Sequence, residues 1–342
     1  MDYKREQIKI CHCQCVYITI VHVKAHLHNP CVADKTEHFC PSRDFARQAS
    51  SQTMCSGFRL TKWNSSSREV LSQIPNQEMA STSINLDLDD LPIERSLGLL
   101  WNTETDSFRF AVTSCQSALS KHGVLSQVSS VFDPLGVLAS FPLPVNCLIQ
   151  TMWCKKKGWD EPLDEEDQIE WENWLASLSS LKVFALPRCQ CSDAPRDAKV
   201  ELHVFGDTSE KGFGTVCYAR YVFPDGKIEV AFVIAKTRVA PLRQLSIPCL
   251  ELQVAQLAVR LADIIKKELT LRTSKTVFWS DSKTVLLYIL NESHRFHTFV
   301  VNRVAKIQDS TQPAQRWFVP GRLNPADDCT RGLRASEMTS DC

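Results

Sequence analysis

The sequence lacks any apolar run that approaches the ~20 residues of a membrane-spanning helix. It also lacks net charge, because 39 Lys and Arg residues offset 39 Asp and Glu residues. Over the whole chain, this balance argues against a basic protein that coats nucleic acid and against an acidic disordered tail. With 44% hydrophobic and 23% charged residues, the composition is that of a globular protein of about two domains, and no membrane partner is expected.

The pattern of the first 44 residues predicts neither a secretory leader nor a regular zinc motif. The apolar stretch 16–23 is interrupted by Thr19 and His22, and no small-residue cleavage site follows it. Zinc sites usually combine two closely spaced ligand pairs, whereas the cysteines here alternate singly without a clean second pair. We therefore expect residues 1–44 to be an irregular, disordered Cys/His-rich leader. A zinc site is the alternative, and the spacing argues against it.

The 15 cysteines do not form a disulfide pattern. Six fall within the first 55 residues and the other nine are scattered. A chain of 342 residues can bury a core without disulfides. The cysteine usage therefore predicts a reduced intracellular protein, cytoplasmic or nuclear and not secreted.

Residues 45–190 are predicted to form a hairpin followed by helices. The predicted elements are strands 97–101 and 107–112 around a turn, and helices over 114–130, from near Pro144 and from Pro162. The last helix carries apolar residues that are expected mostly to face inward, namely Ile169, Trp171, Trp174, Leu175, Leu178 and Leu181. Its tryptophans are expected to be core residues, because buried tryptophan is far commoner than a tryptophan ligand cage.

The pattern becomes β-rich after a polar linker near residue 195. The predicted order is strands 200–207, 213–223 and 228–237, helix 247–269, strand 276–281, helices 282–290 and 299–308, and strand 316–320. Pro224, Asp225 and Gly226 form a turn between the second and third strands. This order predicts a mixed α/β domain of ordinary size.

Four acidic residues stand where elements of this domain begin or end. Asp207 closes the first strand and Asp281 closes the fourth. Glu251 lies in the opening turns of the long helix, and Asp327 starts the last element. Because functional groups of open α/β sheets gather at the carboxyl ends of strands, we expect these carboxylates to converge.

The helix that carries Glu251 supports this expectation. Glu251 heads a stripe of small residues, Ala255, Ala258 and Ala262, which lets the helix approach the sheet closely. The adjacent apolar stripe comprises Leu250, Val254, Leu257, Leu261 and Ile264. A carboxylate that faces the sheet edge needs a partner, since an unpaired buried charge is costly.

A divalent cation is the partner that several converging carboxylates share most readily. Oxygen ligands suit Mg²⁺ or Mn²⁺. Two such ions about 3.5–4 Å apart stabilise the attacking and leaving oxygens of phosphodiester cleavage. The order Asp, Glu, Asp, Asp therefore predicts a metal-dependent nuclease site.

Short motifs around these acids resemble those of a retroelement ribonuclease H. They are VFGDTS at 204–209, PCLEL at 248–252, WSDS at 279–282 and FVPGRLNPAD at 318–327. Upstream, GFRLTKWN at 57–64, LGLLW at 97–101, FDPLG at 132–136 and GWDEPL at 158–163 extend the resemblance. Residues 45–335 are thus similar to the Pol polyprotein of BEL/Pao retrotransposons.

The resemblance implies a ribonuclease H-like fold at residues 195–335, with a mixed five-stranded sheet and flanking helices. It implies that residues 45–190 are the end of a reverse transcriptase and a mostly helical connecting region, and that 336–342 are a tail. It further implies metal-binding and catalytic roles for Asp207, Glu251, Asp281 and Asp327, with Mg²⁺ or Mn²⁺ as cofactor. The implied partners are an RNA–DNA hybrid or other nucleic acid and other Pol domains.

The resemblance also locates differences. The aromatic-x-Asp-Asp turn of the polymerase has no match, and the acids at 87, 89 and 90 are expected to form a solvated loop. We therefore expect a truncated or degenerate copy without polymerase activity. Asp328 follows Asp327 directly, as a bystander or a substitute. His294 or His297 is a candidate for the mobile histidine of ribonuclease H sites, although a surface histidine is the commoner case.

Three other functions are compatible with parts of the pattern. An aspartic peptidase needs two Asp-Thr/Ser-Gly turns, and neither Asp207 nor Asp281 is followed by that glycine. An integrase-like nuclease needs a Glu after Asp281, and Glu292 lies in a predicted loop. A catalytically inactive remnant that only binds nucleic acid is the third alternative, against which the four intact carboxylates argue.

The neutral whole chain is an average over unlike regions. Residues 196–335 carry 21 basic and 14 acidic side chains, a net charge of +7, whereas residues 82–195 carry 8 and 16, a net charge of −8. Because this net charge includes the candidate metal-binding acids, the rest of the domain's surface is more positive than +7. That charge suits contact with a phosphate backbone.

Overall fold

The computed structural model describes residues 64–72, 74–79, 93–96, 99–112, 119–188, 198–243, 245–268, 273–291 and 296–332. These residues divide into two compact units. The first holds the described residues up to Phe108 and those from Leu186 to Arg188, and the second holds all others. None of the described helices is long and apolar enough to cross a membrane. The Cys/His-rich leader and the acids at 87, 89 and 90 lie outside the described residues.

A four-stranded sheet characterises the first unit. Its strands lie in the order β1, β2, β3, β4 and comprise Ile93–Ser96, Leu99–Asn102, Ser107–Arg109 and Ala185–Pro187, after a short helix α1 at Arg68–Leu71. The predicted hairpin is confirmed as β2 and β3, with shorter strands than expected. Its turn is fixed by Asp106, which accepts hydrogen bonds from Trp101 Nε1 at 3.0 Å and from Arg188 Nε and Nη2 at 2.6 Å.

Three helices open the second unit, namely α2 (Lys121–Ser130), α3 (Leu143–Cys154) and α4 (Glu165–Ser177). The helix predicted from Pro162 begins three residues later, because Pro162 instead pairs with Ser120 in an isolated β-bridge. Trp171 and Trp174 are buried, as predicted, and Trp174 Nε1 donates to the Phe141 carbonyl at 3.0 Å. The inward position predicted for Ile169 is wrong, since this side chain is 61% exposed.

The second unit continues into a mixed five-stranded sheet. Its strands are β5 (Lys199–Thr208), β6 (Gly212–Val222), β7 (Ile228–Val239), β8 (Thr273–Ser280) and β9 (Arg316–Phe318). They lie in the order β7, β6, β5, β8, β9; the β5–β6 and β6–β7 pairs are antiparallel, and the β5–β8 and β8–β9 pairs are parallel. Helices α5 (Ile247–Glu268), α6 (Lys283–Leu290), α7 (Thr298–Ser310) and α8 (Asp328–Arg331) accompany it. The chain therefore contains the predicted α/β domain of ribonuclease H type.

Helix α5 packs closely against the central strand. A Cβ at Gly206 of β5 would lie 2.3 Å from Val254 Cγ1, so only glycine permits this approach. The small stripe Ala255, Ala258 and Ala262 is buried, as predicted. Ile264 was predicted to continue the apolar stripe but is 52% exposed, and Ile265 is buried instead. The buried arc is centred on the alanine stripe, which places Ile264 just outside it.

The loop that contains the FDPLG motif covers the edge strand β7. The Ala235 amide of β7 donates to the Leu135 carbonyl at 2.9 Å. Asp133 holds the loop by accepting the amides of Val137 at 3.1 Å and Leu138 at 2.7 Å. An edge strand presents unpaired backbone groups, and this loop satisfies one of them. Gly136 adopts φ +70°, and a Cβ there would lie 1.9 Å from the Ala235 carbonyl oxygen.

The predicted linker near residue 195 lies outside the described residues, and the predicted domain boundary there stays a prediction. Residues 119–185 group with the five-stranded sheet, because α3 and the loop before it contact β7. The assignment of residues 45–190 to the end of a reverse transcriptase and a connecting region stays a prediction.

Substitution Gly136→Ala should destabilise the protein by about 2–4 kcal/mol, because it adds left-handed strain and a clash with a backbone carbonyl. Gly226→Ala is the matched control: Gly226 has φ +88°, but no atom lies within 4 Å of the added Cβ. Its cost should be about 1 kcal/mol, from strain alone. Urea unfolding of the full chain measures both, and equal losses would contradict the proposed contact with β7.

Candidate active site

The four predicted carboxylates lie on four elements that meet at one end of the sheet. Asp207 is the penultimate residue of β5, and Asp281 follows β8 directly. Because β5 and β8 are parallel neighbours, their carboxyl ends lie side by side. Glu251 lies in the second turn of α5, and Asp327 immediately precedes α8.

A narrow cavity of about 20 Å³ adjoins three of these acids. It is lined by Asp207, Glu251 and Asp281, and by Gly206 and Ser280, which precede two of these acids in the chain. A Cβ at Gly321 would lie 3.3 Å from Asp281 Oδ2, so the segment that leads to Asp327 also approaches the cluster. The structure therefore brings the predicted acids together.

Burial and mutual repulsion shift the protonation of the cluster. Burial, together with the charges of Asp281 and Asp327, raises the pKa of Asp207 to about 6, although the hydrogen bond from Thr330 acts in the opposite direction. Burial also raises the pKa of Glu251, with a smaller contribution from Asp207. The pKa of Asp281 is raised by burial and then by Glu251 and Asp327. Raised pKa values are the expected consequence of carboxylates that lie close together and partly away from water.

Two hydroxyl groups hold two of the carboxylates. Thr330 Oγ1 donates to Asp207 Oδ2 at 2.5 Å. Ser282 Oγ donates to Glu251 Oε2 and also accepts the Val285 amide at 3.3 Å, which caps α6. The sequence placed Ser282 only at the start of a predicted helix and did not indicate Thr330. The available signal was positional: each hydroxyl follows an acid, Ser282 one residue after Asp281 and Thr330 three residues after Asp327.

Asp327 has a cationic partner. Arg331 Nε and Nη2 lie 2.9 Å and 2.5 Å from Asp327 Oδ1 and Oδ2. The Arg331 side chain is 68% exposed, so the pair is solvent-screened and contributes little to stability. Asp327 is therefore the one member of the cluster whose charge is compensated by a described basic side chain.

The two remaining candidates that the structure describes, Asp328 and His297, do not line the cavity. Asp328 is exposed and is the first residue of α8. His297 precedes α7 and does not line the cavity. His294 and Glu292 lie outside the described residues. Within the part of the chain that the structure describes, no group of three or more His, Cys, Asp or Glu side chains forms a ready-made metal cage.

Comparison with protein families gives an independent match. Residues 120–282 match the family described as Pao retrotransposon-like RNaseH-like domain. The matched region runs from the start of α2 to Ser282, and so includes Asp207, Glu251 and Asp281. The match supports a Pao retrotransposon RNase H region at residues 120–282, which include the helices α2–α4 and the strands β5–β8. No curated protein sequence matches the chain.

Solved structures with similarity to this chain include several RNase H proteins. The N-terminal RNase H domain of Rv2228c from Mycobacterium tuberculosis is 14% identical, covers 42% of this chain and 100% of its own, and has a TM-score of 0.28. RNase H1 from Halobacterium salinarum NRC-1 is 13% identical over 42% and 99%, with a TM-score of 0.26. LC11-RNase H1 in complex with RNA/DNA hybrid is 11% identical over 41% and 99%, with a TM-score of 0.25. The fold assignment rests on the sheet order and the family match.

The raised pKa of Asp207 predicts how stability depends on pH. Between the ordinary pKa of 3.8 and the folded value of about 6, the folded protein holds a proton that the unfolded chain has released. In EDTA, the free energy of unfolding should therefore fall as the pH rises from about 4 to about 6, by on the order of 1–3 kcal/mol. Asp207→Asn should remove most of this decline in urea unfolding. Asp309→Asn, at the exposed end of α7, controls for loss of one charge, and identical curves for both variants would refute the assignment.

Proposed function

We propose that this chain is a retrotransposon-derived ribonuclease H-like nuclease that hydrolyses the RNA strand of RNA–DNA hybrids. Asp207, Glu251, Asp281 and Asp327 would bind Mg²⁺ or Mn²⁺ and carry the catalysis. The observation that carries the proposal is the convergence of these four acids from β5, α5, β8 and α8 at one end of the sheet. The family match supports the same assignment.

The chemistry of the cluster fits a divalent cation. Among the described residues, no Lys or Arg forms an ion pair with Asp207, Glu251 or Asp281, and the pKa of each is raised. Such carboxylates need positive charge from another source, and hard oxygen donors favour Mg²⁺ or Mn²⁺. Two ions bound there would stabilise the attacking and leaving oxygens of phosphodiester hydrolysis.

The protein's own contribution is the rigid placement of the acids. Asp207 and Asp281 are fixed by adjacent parallel strands, and Glu251 is fixed by a helix that lies against β5 through Gly206 and Val254. Thr330 and Ser282 restrict the carboxylates of Asp207 and Glu251. Preorganised charge of this kind costs no rearrangement when the reaction occurs.

The charge of the surrounding domain supports a nucleic-acid substrate. Residues 196–335 have a net charge of +7 although they contain the acidic cluster. Lys283 and Arg322 are exposed. Lys283 lies two residues after Asp281, and Arg322 follows Gly321, which approaches the Asp281 carboxylate. Basic side chains near the cluster would contact phosphates of the substrate and release counterions. We also propose other Pol domains as partners and an intracellular location, cytoplasmic or nuclear.

The full chain should cleave the RNA strand of an end-labelled RNA–DNA hybrid in the presence of Mg²⁺ or Mn²⁺, and EDTA should abolish cleavage. Asp207→Asn and Asp281→Asn should each lower the rate by at least about 10³-fold, because each removes a charged metal ligand. Asp309→Asn should cleave like the wild type. Denaturing gels give the rates, with single-stranded RNA and duplex DNA as substrate controls.

Other outcomes select other functions. Folded wild-type protein that leaves the hybrid intact at every metal concentration contradicts the enzyme proposal. Binding of the hybrid without cleavage favours the inactive nucleic-acid-binding remnant. Cleavage retained by both Asn variants rejects the residue assignment. An aspartic peptidase gains no support from the geometry, because Asp207 lies within β5 opposite Gly214 and not in an Asp-Thr-Gly turn.

A further inference from the structure

We propose that Thr330 is a positioning residue whose hydroxyl orients Asp207 for metal binding. This inference rests on the proposed function, since it concerns the same cluster of acids. It assigns a role to a residue that is not itself a carboxylate and that follows the last of the four acids by three positions.

The hydrogen bond between Thr330 and Asp207 is short and buried. Thr330 Oγ1 lies 2.5 Å from Asp207 Oδ2, and the two residues are 1% and 8% exposed. A hydroxyl that donates to an ionised carboxylate at this distance forms a strong, charge-assisted hydrogen bond. The bond fixes one oxygen of Asp207 and so restricts rotation of the carboxylate.

Thr330 is itself rigidly held. Its amide donates to the Asp327 carbonyl at 3.0 Å, and its own carbonyl accepts Ser209 Oγ at 2.9 Å. Ser209 lies two residues after Asp207, so the contact ties the α8 segment to the end of β5. The neighbouring residue Cys329 sits so close to β6 that a Cβ at Gly214 would lie 2.7 Å from Cys329 Cβ. The hydroxyl therefore has a fixed origin from which to orient Asp207.

The direction of the hydroxyl proton follows from its two acceptors. Besides Asp207 Oδ2, Thr330 Oγ1 lies 2.9 Å from the Asp327 carbonyl oxygen. A hydroxyl has one proton, and an ionised carboxylate is a stronger acceptor than a carbonyl. When Asp207 is charged, Thr330 therefore donates to it and links the first and last acids of the cluster through one side chain.

The consequence is that the Asp207 carboxylate is held in one orientation. Thr330 engages Oδ2 and so limits how the carboxylate can face a cation in the cluster. Partners that orient metal ligands in this way typically contribute 10–100-fold to metal affinity or activity. Loss of the hydroxyl should release the carboxylate and weaken metal binding without changing the surface that holds the hybrid.

The test compares Thr330→Val, which keeps the shape and removes the hydroxyl, with Thr330→Ser, which keeps the hydroxyl. For the full chain, calorimetric titration with Mn²⁺ should give about 10–100-fold weaker affinity for Thr330→Val. Its kcat on the hybrid should fall by a similar factor, with KM for the hybrid within about twofold of the wild type. Thr330→Ser should stay within about threefold of the wild type in all three quantities, because the hydrogen bond is retained.

Thr237→Val is the matched control. Thr237 Oγ1 donates to the Cys329 carbonyl at 3.2 Å, so this change also removes a hydroxyl that anchors the α8 segment, but it touches no carboxylate. Its Mn²⁺ affinity should equal that of the wild type. Equal weakening by Thr237→Val and Thr330→Val would overturn the positioning role in favour of general loosening of the segment. Should Thr330→Val fail to fold in thermal melts, Thr330→Ala replaces it.

The result also separates the two proposals. Wild-type protein that cleaves the hybrid while Thr330→Val binds Mn²⁺ equally well overturns the role of Thr330 alone. Wild-type protein that neither binds Mn²⁺ nor cleaves overturns the proposed nuclease and the role of Thr330 together.

Discussion

The crowding of partly buried carboxylates is the constraint on which the end of this sheet depends. Asp207, Glu251 and Asp281 would separate or take up protons if the backbone let them, and their pKa values are raised first by burial and then by one another's charge. The fold resists both outcomes by placing two of them on adjacent parallel strands and one on a packed helix. Hydrogen bonds from Thr330 and Ser282 offset part of the cost.

Close backbone approach makes this arrangement sterically feasible. Gly206 admits Val254 of α5 on one face of the sheet, and Gly214 admits Cys329 of the terminal segment. Either added Cβ would come within 3 Å of a neighbouring side-chain carbon. Gly206 precedes Asp207 in β5, and Gly214 lies opposite Asp207 in β6. The elements that carry the other acids can therefore reach Asp207. The packing of the core and the geometry of the site therefore depend on the same positions.

The helical segment before the sheet belongs to this structure as much as the strands do. Its loop at residues 132–136 pairs with β7 through Leu135, and Gln150 Nε2 of α3 donates to the Ala240 carbonyl at 2.7 Å. These contacts cover an edge that would otherwise be open to other strands. The family match spans the same helices and the strands β5–β8. Near residue 195 the sequence pattern changes from helices to strands. The contacts of the helical segment with β7 and Ala240 join residues on the two sides of this change.

The sequence alone determined the order of strands and helices and the identity of the four acids. Periodicity, turns and breakers are local, and acids at element ends stand out in the chain. Only the tertiary structure decided which partners restrain those acids. Thr330 and Asp207 are 123 residues apart and Ser282 and Glu251 are 31 apart, so no local pattern pairs them. The same holds for Ile264, whose exposure depends on where the alanine stripe meets the sheet. Contacts between distant segments arise only when the chain has folded, which is why the sequence identified the acids and the fold supplied their partners.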